Sequence, residues 1–241
     1  MSGHSKWATI KRKKEKTDSQ RGKIFTKIGR ELVIAVREGG PDPNNNNRLR
    51  DVIAKAKANN MPNDNIARSI KKAAGEMGQS TFEEILYEGY SAGGVAVIVE
   101  VLTDNRNRTA SDVRHIFDKY GGSLGSTGCV GWMFDRKGLI VVEKDAMKSE
   151  DDMMMLSLEA GADDFAPMED VYEIYTNPAD FSQVREALEK SGLAFVSADI
   201  ERIPQNTVSI SAENAEKLEK LVEMLEDNDD VQNVFHNAET E

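Results

Sequence analysis

Between residues 21 and 38 the apolar side chains Ile24, Phe25, Ile28, Leu32, Ala35 and Val36 recur every three to four positions. At about 100° per residue they fall within one arc of a helix. Lys23, Lys27, Arg30 and Arg37 fall on the opposite arc, and Gly39-Gly40-Pro41 stops the run. After a polar loop, Asp42 to Asn47, the spacing Leu49, Val52, Ile53, Ala56 predicts a second helix over about 48–59, broken by Asn60-Met-Pro62. Asn63 or Asp64 caps a third helix that holds Ile66, Ile70, Ala73 and Ala74 and closes at Gly75. Three short amphipathic helices bury their apolar stripes against one another. Their outer faces carry Arg48, Arg50, Lys55, Lys57, Arg68, Lys71 and Lys72.

From Gly93 onward the period changes. Val95 to Leu102 reads as a strand, and Thr103 to Thr109 as a polar loop. Thr109 with Asp112 resembles a capping box for a helix presenting Val113, Ile116, Phe117 and Tyr120. Cys129 to Phe134 reads as a strand, as does Gly138 to Glu143. Glu150 to Ala160 is an acidic helix whose methionines serve as core filler, and Asp163 to Thr176 pairs two strands about a turn at 167–170. Phe181 to Ser191 is a helix and Leu193 to Ile203 a strand. Thr207–Ser211, Glu213–Glu226 and Val231–Phe235 then read as strand, helix, strand. The Gly-rich run Gly89 to Gly94 reads as a turn.

These elements give an α+β multidomain chain. Residues 1–79 form a basic arm and a three-helix domain. The β-α-β-β-α-β order over 137–204 is a complete ferredoxin-like pattern. The half-patterns on either side, 80–136 and 205–241, together make another. The expected architecture is therefore two ferredoxin-like α+β domains, one inserted in the other.

Charge sharpens this picture. Residues 1–75 hold 18 Lys and Arg against 7 Asp and Glu, a balance of +11 within a chain of net charge −11. One end is built to meet a polyanion, and the rest repels it. The densest part is the arm, with Lys6, Lys11, Arg12, Lys13, Lys14 and Lys16. It lacks an apolar period and is expected to be extended or disordered when free. Trp7 within it either tucks onto the neighbouring domain or offers a stacking platform among phosphate-binding lysines.

Catalytic and metal chemistry find little support. The single cysteine, Cys129, excludes an internal disulfide and a thiolate metal site and fits a reducing cytosol. No P-loop, nucleophile elbow or zinc spacing of His and Cys is visible, so no cofactor and no enzyme activity is expected. The acidic runs, Asp227 to Asp230 among them, read as solvated faces. No secretory leader or bilayer-length apolar run is visible, which points to a soluble intracellular protein with no membrane contact. What remains is a nucleic-acid binder. The arm cations release counterions from phosphates, the stripe of Arg21, Lys23, Lys27 and Arg30 continues that surface, and Arg106 and Arg108 stand just before a helix N-terminus that favours anions. None of these groups reads base sequence.

The segments Gly3-His-Ser-Lys-Trp7, Arg21-Gly-Lys-Ile-Phe-Thr-Lys27, Glu38-Gly-Gly40, Asn59-Asn-Met-Pro62, Tyr87-Glu-Gly-Tyr90 and Thr103-Asp-Asn-Arg-Asn-Arg-Thr109 resemble the YebC family. That family includes the mitochondrial translational activator of cytochrome c oxidase. The resemblance covers essentially the whole chain. It departs at Arg12, where many relatives carry histidine. It implies a helical domain and two α+β domains, in a cytoplasmic, non-enzymatic, DNA-binding transcriptional regulator. It equally implies a translation factor that binds ribosomal RNA and acts during difficult peptide-bond formation. A protein–protein adaptor, with the acidic domains gripping a partner, is a third reading. The nucleic-acid contacts expected are Lys6, Trp7, Lys11, Arg12, Lys13, Lys14, Lys16, Arg21, Lys23, Lys27, Arg30, Arg106 and Arg108.

Overall fold

The computed structural model of the chain describes residues 18–75, 82–144 and 149–239. Its first helix, α1 (Asp18–Gly39), is followed by α2 (Asn47–Ala58) and α3 (Asn63–Gly75). Ile28, Leu32, Ala35 and Val36 of α1 meet Leu49, Val52 and Ala56 of α2 and Ile66 and Ala73 of α3 in one apolar core. Asn46 locks the first turn of this bundle. Its side-chain oxygen accepts from Leu49 N at the start of α2, while Nδ2 donates to Ala35 O and Gly40 O at the end of α1. One buried amide thus satisfies orphan groups at two helix ends. Gly40, at φ +83°, supplies the left-handed residue that ends α1.

The remaining elements are β1 (Glu83–Ser91), β2 (Val95–Thr103), α4 (Arg106–Lys119), β3 (Ser123–Leu124), β4 (Phe134–Glu143), α5 (Glu150–Glu159), β5 (Asp164–Pro167), β6 (Val171–Thr176), α6 (Phe181–Lys190), β7 (Ser197–Pro204), α7 (Ala212–Asp227) and β8 (Val231–His236). They form two four-stranded antiparallel sheets, ordered β3-β1-β2-β8 and β5-β6-β4-β7. The second sheet follows the β-α-β-β-α-β pattern, with α5 and α6 on its core of Ile140, Tyr172, Ile174 and Leu188. Its strands interrupt the first sheet between β3 and β8, so one α+β unit is inserted in the other. In the first unit α4 and α7 cover one face, packing Val113, Phe117, Leu221 and Leu225 against Val97, Val99 and Val101. Its opposite face is closed by Ala96, Ile98, Val130, Phe134 and Phe235.

The two sheets differ in strand order, because the first unit opens with the β1-β2 hairpin where the second opens with strand, helix, strand. The strand expected at 207–211 is only a bridge from Val208 to Ala238. Its place beside β2 is taken by β1, which pairs with β2 from Glu83↔Thr103 to Ser91↔Val95 through a tight hairpin. Gly93 and Gly94, both at positive φ, make that hairpin close. β1 escapes a pattern reading because its central residues are at least partly buried on both faces and Glu88 occupies an inward position. The strand expected at 129–134 is also replaced. Gly131–Met133 form a 3₁₀ turn, and β4 runs unbroken from Phe134, whose side chain packs in the first unit. Finally, α4 begins four residues earlier than the Thr109 capping box predicts, because Asn105 caps it by accepting from Arg108 N.

Candidate nucleic-acid interface

Lys6, Trp7, Lys11, Arg12, Lys13, Lys14 and Lys16 lie outside the described residues. The other expected contacts are placed, and the structure sorts them. Arg21 is exposed at the start of α1. Lys23, Lys27 and Arg30 are drawn to the end of α7. Lys23 Nζ donates to the Asp227 carboxylate, Lys27 Nζ to Glu226 O at 2.7 Å, and Arg30 to Asp229 O at 2.8 Å and Leu102 O at 2.9 Å. Arg30 also reaches Asp230 Oδ1 at 2.6 Å and lies 5.3 Å from the centre of the Phe82 ring. Arg37 continues the row, donating to Phe82 O at 2.6 Å.

This row is the arc opposite the apolar one, whose cations were expected to continue the surface of the arm. Ile34 sits within it and is fully buried. The reason lies in α7. Its last carbonyls carry the negative end of the helix dipole, and no basic residue of its own stands in the last turn. The run Asp227 to Asp230 adds carboxylates at the same spot. Cations of α1 neutralise it across the domain boundary. A lone isoleucine in a cationic stripe was the available sequence signal for a second buried face.

Asp230 is the centre of this junction, 4% exposed. Its carboxylate accepts from Arg30, from Arg108 at 2.8 Å, from Thr109 Oγ1 at 2.6 Å and from Thr103 Oγ1 at 3.1 Å. Burial pushes its pKa up, but the hydrogen bonds from Thr109, Arg108 and Arg30 outweigh that and hold it at about 2. The motif Thr103 to Thr109 thus wraps a buried carboxylate. Arg108 is half-exposed and turned towards Asp230 and Asp104, while Arg106 is exposed in the first turn of α4.

The outer cations of the bundle divide in the same way. Lys55 is held between Glu31 at 3.0 Å and Asp199 of β7 at 3.2 Å. Burial disfavours its charge, yet the two carboxylates raise its pKa. Arg50 pairs with Glu186 of α6 at 2.8 Å, and Arg48 with Glu38 at 2.6 Å and with Glu84. Asp51 accepts from Ser182 and from Arg185 Nε at 2.9 Å, fastening α2 to α6. By contrast, Lys57, Arg68, Lys71 and Lys72 are exposed, and among the described residues none of the four makes an ion pair. Three of them lie at i, i+3 and i+4 on the outer face of α3. Among the described residues no cluster of His, Cys, Asp and Glu is arranged to hold a metal, and no helix is long and apolar enough to cross a membrane.

Comparison with known proteins agrees with this architecture. Residues 5–76 match the model of the TACO1/YebC protein N-terminal domain, and residues 82–238 that of the TACO1/YebC second and third domain. A "probable transcriptional regulatory protein" of Caldicellulosiruptor saccharolyticus is 63% identical over 241 residues, covering all of both chains. One of the same name from Acetivibrio thermocellus is 61% identical, covering 98% of each. The crystal structure of a conserved hypothetical protein from Aquifex aeolicus superposes with a TM-score of 0.85 at 50% identity, covering 93% of each chain. The names of the curated relatives are those of regulators rather than enzymes. With its helical bundle and nested pair of α+β units all matched, the chain belongs to the TACO1/YebC family.

Proposed function

We propose that the protein is a non-enzymatic, cytoplasmic regulator of gene expression that binds nucleic acid through its basic N-terminal end. The observation that carries this reading is the sorting of cations. Arg30, Lys55 and Arg50 are consumed at domain boundaries, whereas Lys57, Arg68, Lys71 and Lys72 face solvent on the same small bundle that bears the arm. Free cations at one end of an otherwise acidic molecule direct phosphate contacts to that end. The names of the relatives support transcription as the process, and DNA is the partner that process calls for.

Ribosomal RNA is the second reading. It is favoured by the free cations standing on two short helices with no base-reading scaffold among them, because shape-based contact with RNA asks less of side chains. Charge reversal at Lys11, Arg12, Lys13 and Lys14 is expected to abolish association with nucleic acid in a filter-binding titration and to flatten its salt dependence. Unchanged affinity would refute the proposal. Crosslinking in cells, followed by sequencing of the attached nucleic acid, separates promoter DNA from ribosomal RNA.

A further inference from the structure

Trp132 is 69% exposed, the most exposed large apolar side chain of the described residues. It does not hang on a loose loop. The segment 128–131 is bound by a buried carboxylate, since Glu88, only 4% exposed, accepts from Gly128 N at 2.9 Å, Val130 N at 2.9 Å and Gly131 N at 2.7 Å. Burial raises the pKa of Glu88, but these three backbone donors overrule it and keep the carboxylate ionised. Gly128 sits at φ +86°, and a Cβ on Gly125 would come within 2.5 Å of Cys129 Sγ. Burying a carboxylate is costly unless every lone pair is used. Here it serves to fix the shape of a surface turn.

Two aromatic rings meet at that turn, Trp132 from the turn's end and Tyr90 from β1. The Trp132 indole Nε1 donates to Cys129 O at 3.2 Å, and the hydroxyl of Tyr90, a residue 37% exposed, approaches the same oxygen at 3.5 Å. The polar edges of both rings are turned towards Cys129 O, so what these exposed side chains chiefly offer a ligand is apolar ring surface. Stacking and apolar contact, rather than hydrogen bonding, are what such faces offer. The size of the patch restricts the occupant. An aromatic side chain buries roughly 150–250 Å², so two rings fall well short of the roughly 800 Å² per partner of a standard protein interface. They match one or two planar groups.

We propose that Trp132 and Tyr90, fixed by the Glu88-bound turn, form a stacking platform for an unpaired nucleobase of the bound nucleic acid. This rests on the reading of the protein as a nucleic-acid binder, and it adds a contact to bases where the cations contact only phosphates. Base–aromatic stacking tolerates any base, so the platform selects unpaired over paired strands rather than one sequence.

The chain has two tryptophans, Trp7 and Trp132. In a Trp7→Phe background the fluorescence of Trp132 therefore reports on the platform alone. The full-length protein is titrated with 12-mers of uridine, of thymidine, and of an abasic deoxyribose-phosphate chain, and with a DNA duplex. The expected result is quenching by the uridine or thymidine oligomer and not by the abasic one, the stronger quencher identifying RNA or DNA as the source of the base. Trp132→Ala is expected to weaken binding of the base-bearing single strands by roughly 5- to 150-fold. Trp132→Phe should restore most of that loss, and duplex affinity should not move. Equal responses to base-bearing and abasic chains, or single-strand affinity indifferent to Trp132→Ala, overturn the platform while leaving the phosphate reading intact. If no nucleic acid binds the parent protein at all, both fall.

Discussion

Asp230 joins three parts of the chain in one side chain: Arg30 from α1, Arg108 and Thr109 from α4, and its own place before β8. Replacing it with alanine leaves the Arg30 guanidinium without its carboxylate at a site where the pair is largely buried. The expected cost is about 3–5 kcal/mol, read by urea denaturation. Asp230→Asn, which still accepts a hydrogen bond, should cost less. The same residue sets an acid limit. Its folded pKa of about 2 lies below the unfolded value of about 3.9. The stability it contributes is thus fully present above about pH 4 and is lost as pH falls towards 2. Asp230→Asn should lose less stability than the parent across that window. An identical acid profile would remove Asp230 from this role. From the sequence, Asp227 to Asp230 read as a solvated acidic face. That holds for the exposed Asp227 and Asp229, but nothing local distinguishes Asp230, because its partners stand more than a hundred residues away.

At the scale of elements, α1 has two buried faces and α3 has one. The apolar arc of α1 was legible because a single bundle core imposes the 3.6-residue period. Its cationic arc was misread because burial there is achieved by ion pairing, with Ile34 alone marking it. Two consequences distinguish the helices. Lys23→Ala or Lys27→Ala should each lower stability by about 0.3–1 kcal/mol, the worth of a cation at a helix C-terminus. Neither should change the salt dependence of nucleic-acid binding. The triple change Arg68→Glu, Lys71→Glu, Lys72→Glu on α3 should do the reverse. Thermal stability stays close to the parent, and the slope of log affinity against log salt shrinks by up to about 3. A triple variant with the parent slope would exclude α3 from the phosphate surface. The strand β1 shows the other limit of legibility. Alternation identifies a strand with one wet face, whereas the middle of β1 is at least partly buried on both sides and carries a buried Glu88.

In the whole molecule, electrostatics does two opposed tasks. Buried pairs weld the bundle to both α+β units through Arg30–Asp230, Lys55 with Glu31 and Asp199, and Arg185–Asp51, and Arg202–Glu100 joins the units to each other. Exposed cations on α3 remain for a partner. Salt screens exposed charges far more than buried ones. Raising ionic strength to roughly 0.5 M should therefore release nucleic acid without changing the radius of gyration measured by X-ray scattering. Expansion at that salt would show that the domain contacts are the screened ones. By itself the sequence determined the α+β class, the inserted second unit, the bundle core and the placement of positive charge at one end. All of these follow from short-range period and composition. Only the tertiary structure decided which cations are free, that β1 rather than 207–211 completes the first sheet, and that Glu88 and Asp230 are buried. Each of these depends on which distant groups meet, and a carboxylate destined for a buried site is written with the same letter as one destined for water.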